Sequence, residues 1–223
     1  MFRKLILAAV LFATVNIFAQ SSDKSFYKGA LVIDLNTGLN IYAVKQHYEL
    51  KYNGSTVLSK DTVNAAGSHG PNFGIQYGVL NWLGVGLKYQ YDTYYTSADK
   101  YTGIRPSVFG QEIGLVVDAH PVRVKHFDLI TGFDLGHSNM IFHTHDPSGT
   151  EYYGSGSWFN LHIIPRVYIG PVGLNLNINV PFINYNHMTT SSNQINSVLI
   201  SSWKASGFGI GCGISVRLLK PRN

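Results

Sequence analysis

The chain is poor in cysteine, in charge and in long apolar segments. Its 223 residues include one cysteine, Cys212, so an intrachain disulfide is excluded. Charged residues make up 13% of the chain, which is low for a soluble protein surface. Beyond the N-terminus, no stretch reaches the roughly 18 apolar residues of a transmembrane helix. The lysines and arginines are scattered, so the formal net charge of +5 gives no support for nucleic-acid binding.

The N-terminus has the pattern of a secretory signal peptide. Arg3 and Lys4 precede an apolar run over residues 5–18, and the small residue Ala19 follows. This run is too short for a comfortable membrane span and is interrupted by Asn16, which argues against a retained helical anchor. We therefore predict a cleaved signal peptide over residues 1–19 and one exported domain over residues 20–223.

Residues 172–182 alternate strictly between apolar and small or polar side chains. Such period-2 alternation predicts a strand with one apolar and one polar face. Similar patterns recur about eight times, and no helical segment is present to cover the apolar faces. We predict an all-β fold, an eight-stranded antiparallel up-and-down transmembrane β-barrel whose apolar face meets lipid. A soluble, lipocalin-like barrel is the alternative, but glycine, asparagine and charged residues would line its ligand cavity poorly.

The predicted connections alternate in length along the chain. Short turns are expected at residues 81–83, 121–125 and 170–171, and longer links at 45–70, 96–106, 138–157 and 186–203. This layout places short turns and both termini in the periplasm and long loops outside the cell. Asn53-Gly54 is a good two-residue hairpin turn within the first long link, so the first two strands are expected to continue as a protruding ribbon. Residues 146–149 resemble a second hairpin tip.

The polar face is predicted to form a charged network that fills the lumen, because an eight-stranded barrel is just wide enough for side chains to fill it. Within it we expect Lys88 to pair with Glu112, Arg166 with Asp128, and Arg217 with Asp34. A charged constriction or proton path is the alternative to a rigid polar plug. The predicted network consists of Asp34, Lys88, Glu112, Asp128, Asp134, His162, Arg166 and Arg217.

Aromatic side chains fall at the two predicted rims of the barrel. Tyrosine and tryptophan suit the lipid headgroup layer, because one end of each ring system is apolar and the other is polar. The predicted interface aromatics are Trp82, Tyr89, Tyr91, Tyr95, Phe127, Trp158 and Phe182.

Signals for catalysis or for a metal are weak. His143, His145 and Asp146 are candidate metal ligands, but a structural site usually needs four, and no spaced second pair supports them. His137 and Ser138 are adjacent, so on a strand their side chains point to opposite faces and do not form a base–nucleophile pair. We predict no cofactor, no metal centre and no enzyme activity, with lipid A modification as the enzymatic alternative.

With its strands, turns and N-terminal signal placed, the chain resembles the small outer-membrane β-barrel proteins of Gram-negative bacteria, the OmpA/OmpX/OmpW-like superfamily. The resemblance rests on patterns such as 172–182 and 207–218. It implies an outer-membrane location, contact with membrane lipids and lipopolysaccharide, and insertion by the barrel-assembly machinery. It leaves the extracellular partner unknown. Two roles follow: a plugged structural or surface-interaction barrel, or a narrow, porin-like pore or lateral transporter for small or apolar solutes.

Overall fold

A computed structural model describes residues 24–53, 55–97, 105–145, 151–190 and 197–218. Eight antiparallel strands follow one another around a closed barrel, each paired with its neighbours in the chain and the last paired with the first. The predicted signal peptide lies outside the described residues. The strands are β1 Leu31–Tyr52, β2 Ser55–Gly78, β3 Leu83–Thr96, β4 Ser107–Val124, β5 Phe127–His143, β6 Glu151–Ile169, β7 Val172–Thr190 and β8 Ser197–Arg217.

The alternation in the sequence decides which face of each strand points outward. On β7, Leu174 is 57% exposed on the outer surface, whereas Asn175 is buried inside. Leu174 pairs with Val167 on one side and Ile214 on the other, so the outward side chains form a continuous apolar band. The predicted all-β, eight-stranded up-and-down barrel is confirmed. In the part of the chain that the structure describes, no helix is long and apolar enough to span a membrane.

The strands run farther than the sequence patterns indicated, so the predicted long links were too long. β1 and β2 meet at Asn53, which has a left-handed backbone (φ 47°). Most of the predicted link 45–70 is therefore the expected protruding ribbon. At the other end of the barrel, β4 continues to Val124, so the turn predicted at 121–125 is confined to residues 125–126. The hairpin tip predicted at 146–149 lies outside the described residues.

The ribbon leaves one strand edge without a partner. The pairing of β2 with β3 ends at Ala66 and Thr96. Within the described residues, the segment of β2 over residues 55–65 pairs with β1 alone. A strand edge of this kind presents backbone donors and acceptors to which another strand can add.

Residues 24–30, which precede β1, fold into the short-turn end of the barrel. The Phe26 ring is fully buried and stacks on the His120 ring, with centroids 3.5 Å apart and planes 5° from parallel. Ser25 donates a hydrogen bond to the Phe127 carbonyl, and Gly29 at φ 87° donates to the Gly78 carbonyl. The barrel is therefore closed at this end by its own N-terminal segment.

Candidate functional site in the barrel lumen

A layer of paired charges crosses the middle of the lumen. Lys88 Nζ lies 2.8 Å from Asp134 Oδ2, and Asn160 donates to the same oxygen at 2.8 Å. His162 bridges two acids, with Nε2 at 2.7 Å from Asp118 and Nδ1 at 3.5 Å from Asp134. Charges so deeply buried persist only when they are paired with opposite charges. Lys88, Asp134 and His162 are paired in this way, although Asp134 Oδ1 and His162 Nδ1 have no hydrogen-bond partner among the described residues.

A second ion pair lies closer to the short-turn end. Arg166 Nη2 donates to Asp34 Oδ1 at 2.8 Å. Its Nη1 donates to the Tyr168 hydroxyl at 3.1 Å and lies 4.0 Å from Asp128 Oδ2. Ser215 also donates to Asp34. Asp128 in turn accepts from His120 at 2.9–3.0 Å, directly above the Phe26 ring. The N-terminal segment is thus tied to the charged layer through one histidine.

The predicted network residues line the lumen, but two predicted pairings were wrong and one is secondary. Lys88 pairs with Asp134 rather than with Glu112, because it lies opposite Gly114 in the β3–β4 register and reaches across the lumen to β5. Arg217 donates to the carbonyls of Lys24 and Ser25 rather than to Asp34. Arg166 lies 4.0 Å from Asp128, the predicted partner, but only 2.8 Å from Asp34, which is therefore its main partner.

Glu112 belongs to a separate polar group nearer the long hairpins. Its Oε1 accepts hydrogen bonds from Ser138 at 3.0 Å and from the Tyr94 hydroxyl at 3.3 Å. Ser138 is 2.5 Å from the Tyr185 hydroxyl. The other Glu112 oxygen has no partner among the described residues.

Above Glu112 the lumen is filled by an apolar, largely aromatic cluster, the aromatic plug. The Trp203 ring makes contact with Tyr94 and Tyr185, each at a centroid distance of 5.7 Å. No sequence pattern predicted this plug, because its rings share strands with polar inward residues. Its buried members are Tyr42, Val44, Ala66, Tyr94, Val108, Met140, Phe142, Tyr152, Trp158, Ile183, Tyr185, Ile200, Trp203 and Ala205.

The space left inside is small. A cavity of about 40 Å³ lies beside Lys88, Asp134 and Arg166, and a second of about 20 Å³ lies beside Asp92 and Asn179. Each has room for one or a few water molecules. Beyond the aromatic plug, a vestibule of about 300 Å³ opens among Val44, Phe142, Trp203 and the end of β3.

The predicted interface aromatics face outward with one exception. Trp82, Tyr89, Tyr95 and Phe182 are between 40% and 57% exposed, and Tyr91 and Phe127 are partly exposed. The prediction for Trp158 was wrong: it is 2% exposed and lies inside the barrel, with Lys88 Nζ 5.4 Å from its ring centroid. The physical reason is strand parity, since Trp158 shares its face with Asn160 and His162.

The histidine candidates each have a protein partner. His143 Nδ1 is 2.9 Å from Glu151, and His145 Nε2 is 2.7 Å from the Ser107 hydroxyl. The His143 and His145 rings lie 6.2 Å apart, and Asp146 lies outside the described residues. In the part of the chain that the structure describes, no three histidine, cysteine, aspartate or glutamate side chains form a group that fits a metal.

One contact on the ribbon was not foreseen. Ser59 Oγ is 2.9 Å from His47 Nε2, and His47 Nδ1 is 2.7 Å from Asp61 Oδ1. The alternation of side chains along one strand does not exclude this contact, because His47 lies on β1 and Ser59 on the paired strand β2. The order of groups is that of a nucleophile, base and orienting acid. The second Asp61 oxygen, however, binds Lys45 at 2.8 Å, and all three side chains lie on an open strand surface. The arrangement is that of a polar cross-strand ladder.

Solved structures with the same architecture are outer-membrane proteins. Outer membrane protein OprG from Pseudomonas aeruginosa matches 87% of this chain and 98% of its own, at 11% identity and a TM-score of 0.56. Outer membrane protein AlkL matches 92% of this chain and 96% of its own, at 13% identity and a TM-score of 0.51. The outer membrane protease OmpT from Escherichia coli covers 89% and 99% at 12% identity, with a TM-score of only 0.45.

No protein-family model matches the sequence, and the comparison with curated proteins finds no match. The chain has the fold of the small outer-membrane β-barrel proteins.

Proposed function

We propose that this protein is an outer-membrane barrel with a plugged lumen that acts at the cell surface through its long hairpins. The observation that carries this proposal is the closure of the lumen at three levels. The Phe26 segment fills one end, the Lys88–Asp134 layer crosses the middle, and the aromatic plug around Trp203 fills the other end. A barrel closed in this way holds its wall rigid and does not offer a continuous aqueous path.

The surface on which such a role would depend is the β1–β2 ribbon. It extends beyond the outward apolar band, and the edge of β2 over residues 55–65 has no strand partner in the described part of the chain. Strand addition to a free edge is a recurring way to bind an extended peptide. We place the ribbon outside the cell and the Phe26 segment in the periplasm, as the lengths of the connections favour.

Lateral passage of small apolar solutes is the second candidate. The vestibule of about 300 Å³ beyond the aromatic plug supports it, because Val44, Phe142 and Trp203 give one part of its wall an apolar surface, beside the polar Gln46 and Asn64. Within the described residues, the pairing of β2 with β3 ends at Ala66 and Thr96, and the vestibule lies beside this point.

Single-channel recording on the mature chain, refolded into lipid bilayers, tests the proposal. Folded wild-type protein is expected to be silent. Discrete conductance steps that change in Lys88→Ala would show that the charged layer conducts, and would overturn the plugged barrel. Flux of an apolar fluorescent solute into protein-containing vesicles tests the alternative, with protein-free vesicles as the control. Lateral transport would be favoured if the wild type shows flux and Ala66→Trp does not, because the tryptophan ring would fill the vestibule that Ala66 lines.

The surface role needs its own test. Replacing residues 50–58 by Asn-Gly joins the paired residues Glu49 and Ser59 through a two-residue turn, which shortens the ribbon and leaves the remaining β1–β2 register unchanged. Cells that display this variant are expected to adhere less to other cells than cells that display equal amounts of wild type. Equal adhesion would remove the ribbon from the function.

A further inference from the structure

A row of polar side chains crosses four neighbouring strands on the outer wall, just above the apolar band. The strand registers pair Ser157 with Asn184, Asn184 with Lys204, and Lys204 with Lys45. The next row toward the membrane consists of Phe159, Phe182, Ser206 and Ala43, paired in the same order. A polar row therefore lies directly above a row of aromatic and small side chains.

The two rows border a groove of about 450 Å³ on the outside of the barrel. Its floor is low because Ala43 and Ser206 are small, whereas the aromatic pair Phe159 and Phe182 rises on one side with ring centroids 6.0 Å apart. Val63 borders it on the other side. Ligand sites commonly have volumes of about 300–1,000 Å³, so this groove is large enough for part of a lipid.

Two lysines occupy the upper edge of the groove. Lys45 and Lys204 are directly opposite each other on β1 and β8, an arrangement that is unfavourable for like charges without a counterion. Lys45 Nζ is 2.8 Å from Asp61 Oδ2. The hydrogen bond from Lys45, and to a lesser extent the one from His47, lowers the pKa of Asp61 below its usual value. Lys204 is exposed, and within the described residues it forms no ion pair. One positive charge at this edge therefore remains uncompensated.

We propose that this groove binds lipopolysaccharide, with a lipid A phosphate on Lys204 and Lys45 and an acyl chain against Phe182 and Ala43. Charge complementarity selects a phosphorylated lipid, and the order of the rows orients it with its headgroup away from the membrane centre. Ser157 and Asn184 continue the polar row and offer hydrogen bonds to the sugar. The proposal rests on the orientation given above, because only that orientation brings the groove to the outer leaflet.

The test is a lipopolysaccharide titration of the full mature chain, refolded in phosphatidylcholine nanodiscs, for wild type and Lys45→Ala/Lys204→Ala. A lysine beside an anionic lipid surface contributes about fivefold in affinity. Lys204 supplies this contribution in full, whereas Lys45 is already paired with Asp61, so the double variant is expected to bind about 5- to 25-fold more weakly. Lys60→Ala is the matched control, because Lys60 is exposed on the opposite face of the ribbon and is expected to leave affinity unchanged. Dephosphorylated lipopolysaccharide should bind wild type as weakly as intact lipopolysaccharide binds the double variant.

Ala43→Trp gives a second test that leaves the charges in place. Filling the groove is expected to weaken binding about tenfold or more while the unfolding midpoint stays near that of wild type. Equal affinity of wild type and the double variant would overturn the proposal, and so would equal affinity for intact and dephosphorylated lipid. Equal binding of anionic phospholipid would also overturn it, since the groove would then recognise any anionic lipid.

Orientation is measured separately, so that its failure can be recognised. A Ser59→Cys variant in a Cys212→Ser background is labelled on intact cells with a membrane-impermeant maleimide. Labelling places the ribbon and the groove at the cell surface. Protection in intact cells with labelling after lysis would overturn both the proposed function and the lipopolysaccharide site, even where the nanodisc titration succeeds.

Discussion

Removing the acid at the centre of the charged layer should destabilise the barrel strongly. Asp134 is 1% exposed, and its Oδ2 accepts from Lys88 and Asn160, each at 2.8 Å, with His162 at 3.5 Å. Asp134→Leu leaves the Lys88 ammonium in the lumen without its only close carboxylate among the described residues. Removing one partner of a buried ion pair costs about 3–5 kcal/mol, mainly because the other charge stays buried and unpaired.

Replacing both partners should recover much of this loss. In Lys88→Met/Asp134→Leu no ammonium remains, but the Asn160 amide loses its acceptor, while His162 keeps its 2.7 Å contact with Asp118. Leaving a buried polar group unsatisfied costs about 1–3 kcal/mol. The double variant is therefore expected to be about 1–3 kcal/mol less stable than wild type, and closer to it than Asp134→Leu is.

Reversible urea unfolding in lipid vesicles, followed by tryptophan fluorescence, measures these free energies. Asn177→Leu is the control, because Asn177 is also buried and inward but its amide oxygen has no hydrogen-bond partner in the described part of the chain. It is expected to change the free energy of unfolding by less than about 1 kcal/mol. A cost below about 1 kcal/mol for Asp134→Leu would refute the assigned ion pair. So would single-variant costs of Asp134→Leu and Lys88→Met whose sum equals the cost of the double variant.

Three further outcomes test the barrel wall, the closed end and the serine–histidine contact on the ribbon. Ile178→Arg on the lipid-facing surface should cost about 2–4 kcal/mol and Thr189→Arg beyond the band about 0–1 kcal/mol in the same assay; equal costs would contradict the position of the band. Phe26→Ala should speed amide hydrogen exchange over residues 24–30 while the strands keep their protection; unchanged exchange would show that the ring does not hold this segment. Ser59→Ala should leave the acyl chains of co-purified lipopolysaccharide unchanged by mass spectrometry; a chain lost only with wild type would show the ribbon ladder to be catalytic.

The fold was predictable because its signal is local. A strand such as β7 has Leu174 and Leu176 on one face and Asn175 and Asn177 on the other, and this alternation alone assigns the faces. Strand ends were less predictable, because the ribbon beyond Lys45 has polar side chains on both faces and so no alternation to follow. Trp158 is a different case, because the alternation along β6 does assign it to the inner face, whereas the preference of tryptophan for the headgroup layer suggested a rim position.

The pairings inside the lumen depend on geometry that a sequence does not contain. Lys88 lies on β3, which neighbours β4, and Glu112 is the inward acid of β4 nearest to it by residue count, so the sequence predicts that these two residues pair. Yet the register sets Glu112 opposite Gln90, and the lumen is narrow enough for Lys88 to reach β5 instead. The same narrowness lets Arg166 on β6 bind Asp34 on β1, two residues that the chain separates by 132 positions. In a barrel of this width, the partner of an inward charge depends on the length of the side chain and on the depth of the residue in the lumen. Whether two strands are neighbours is a poor guide to the pairing. Depth is a property of the register and tilt of all eight strands together, which is why the inward residues could be predicted one by one and their pairings could not.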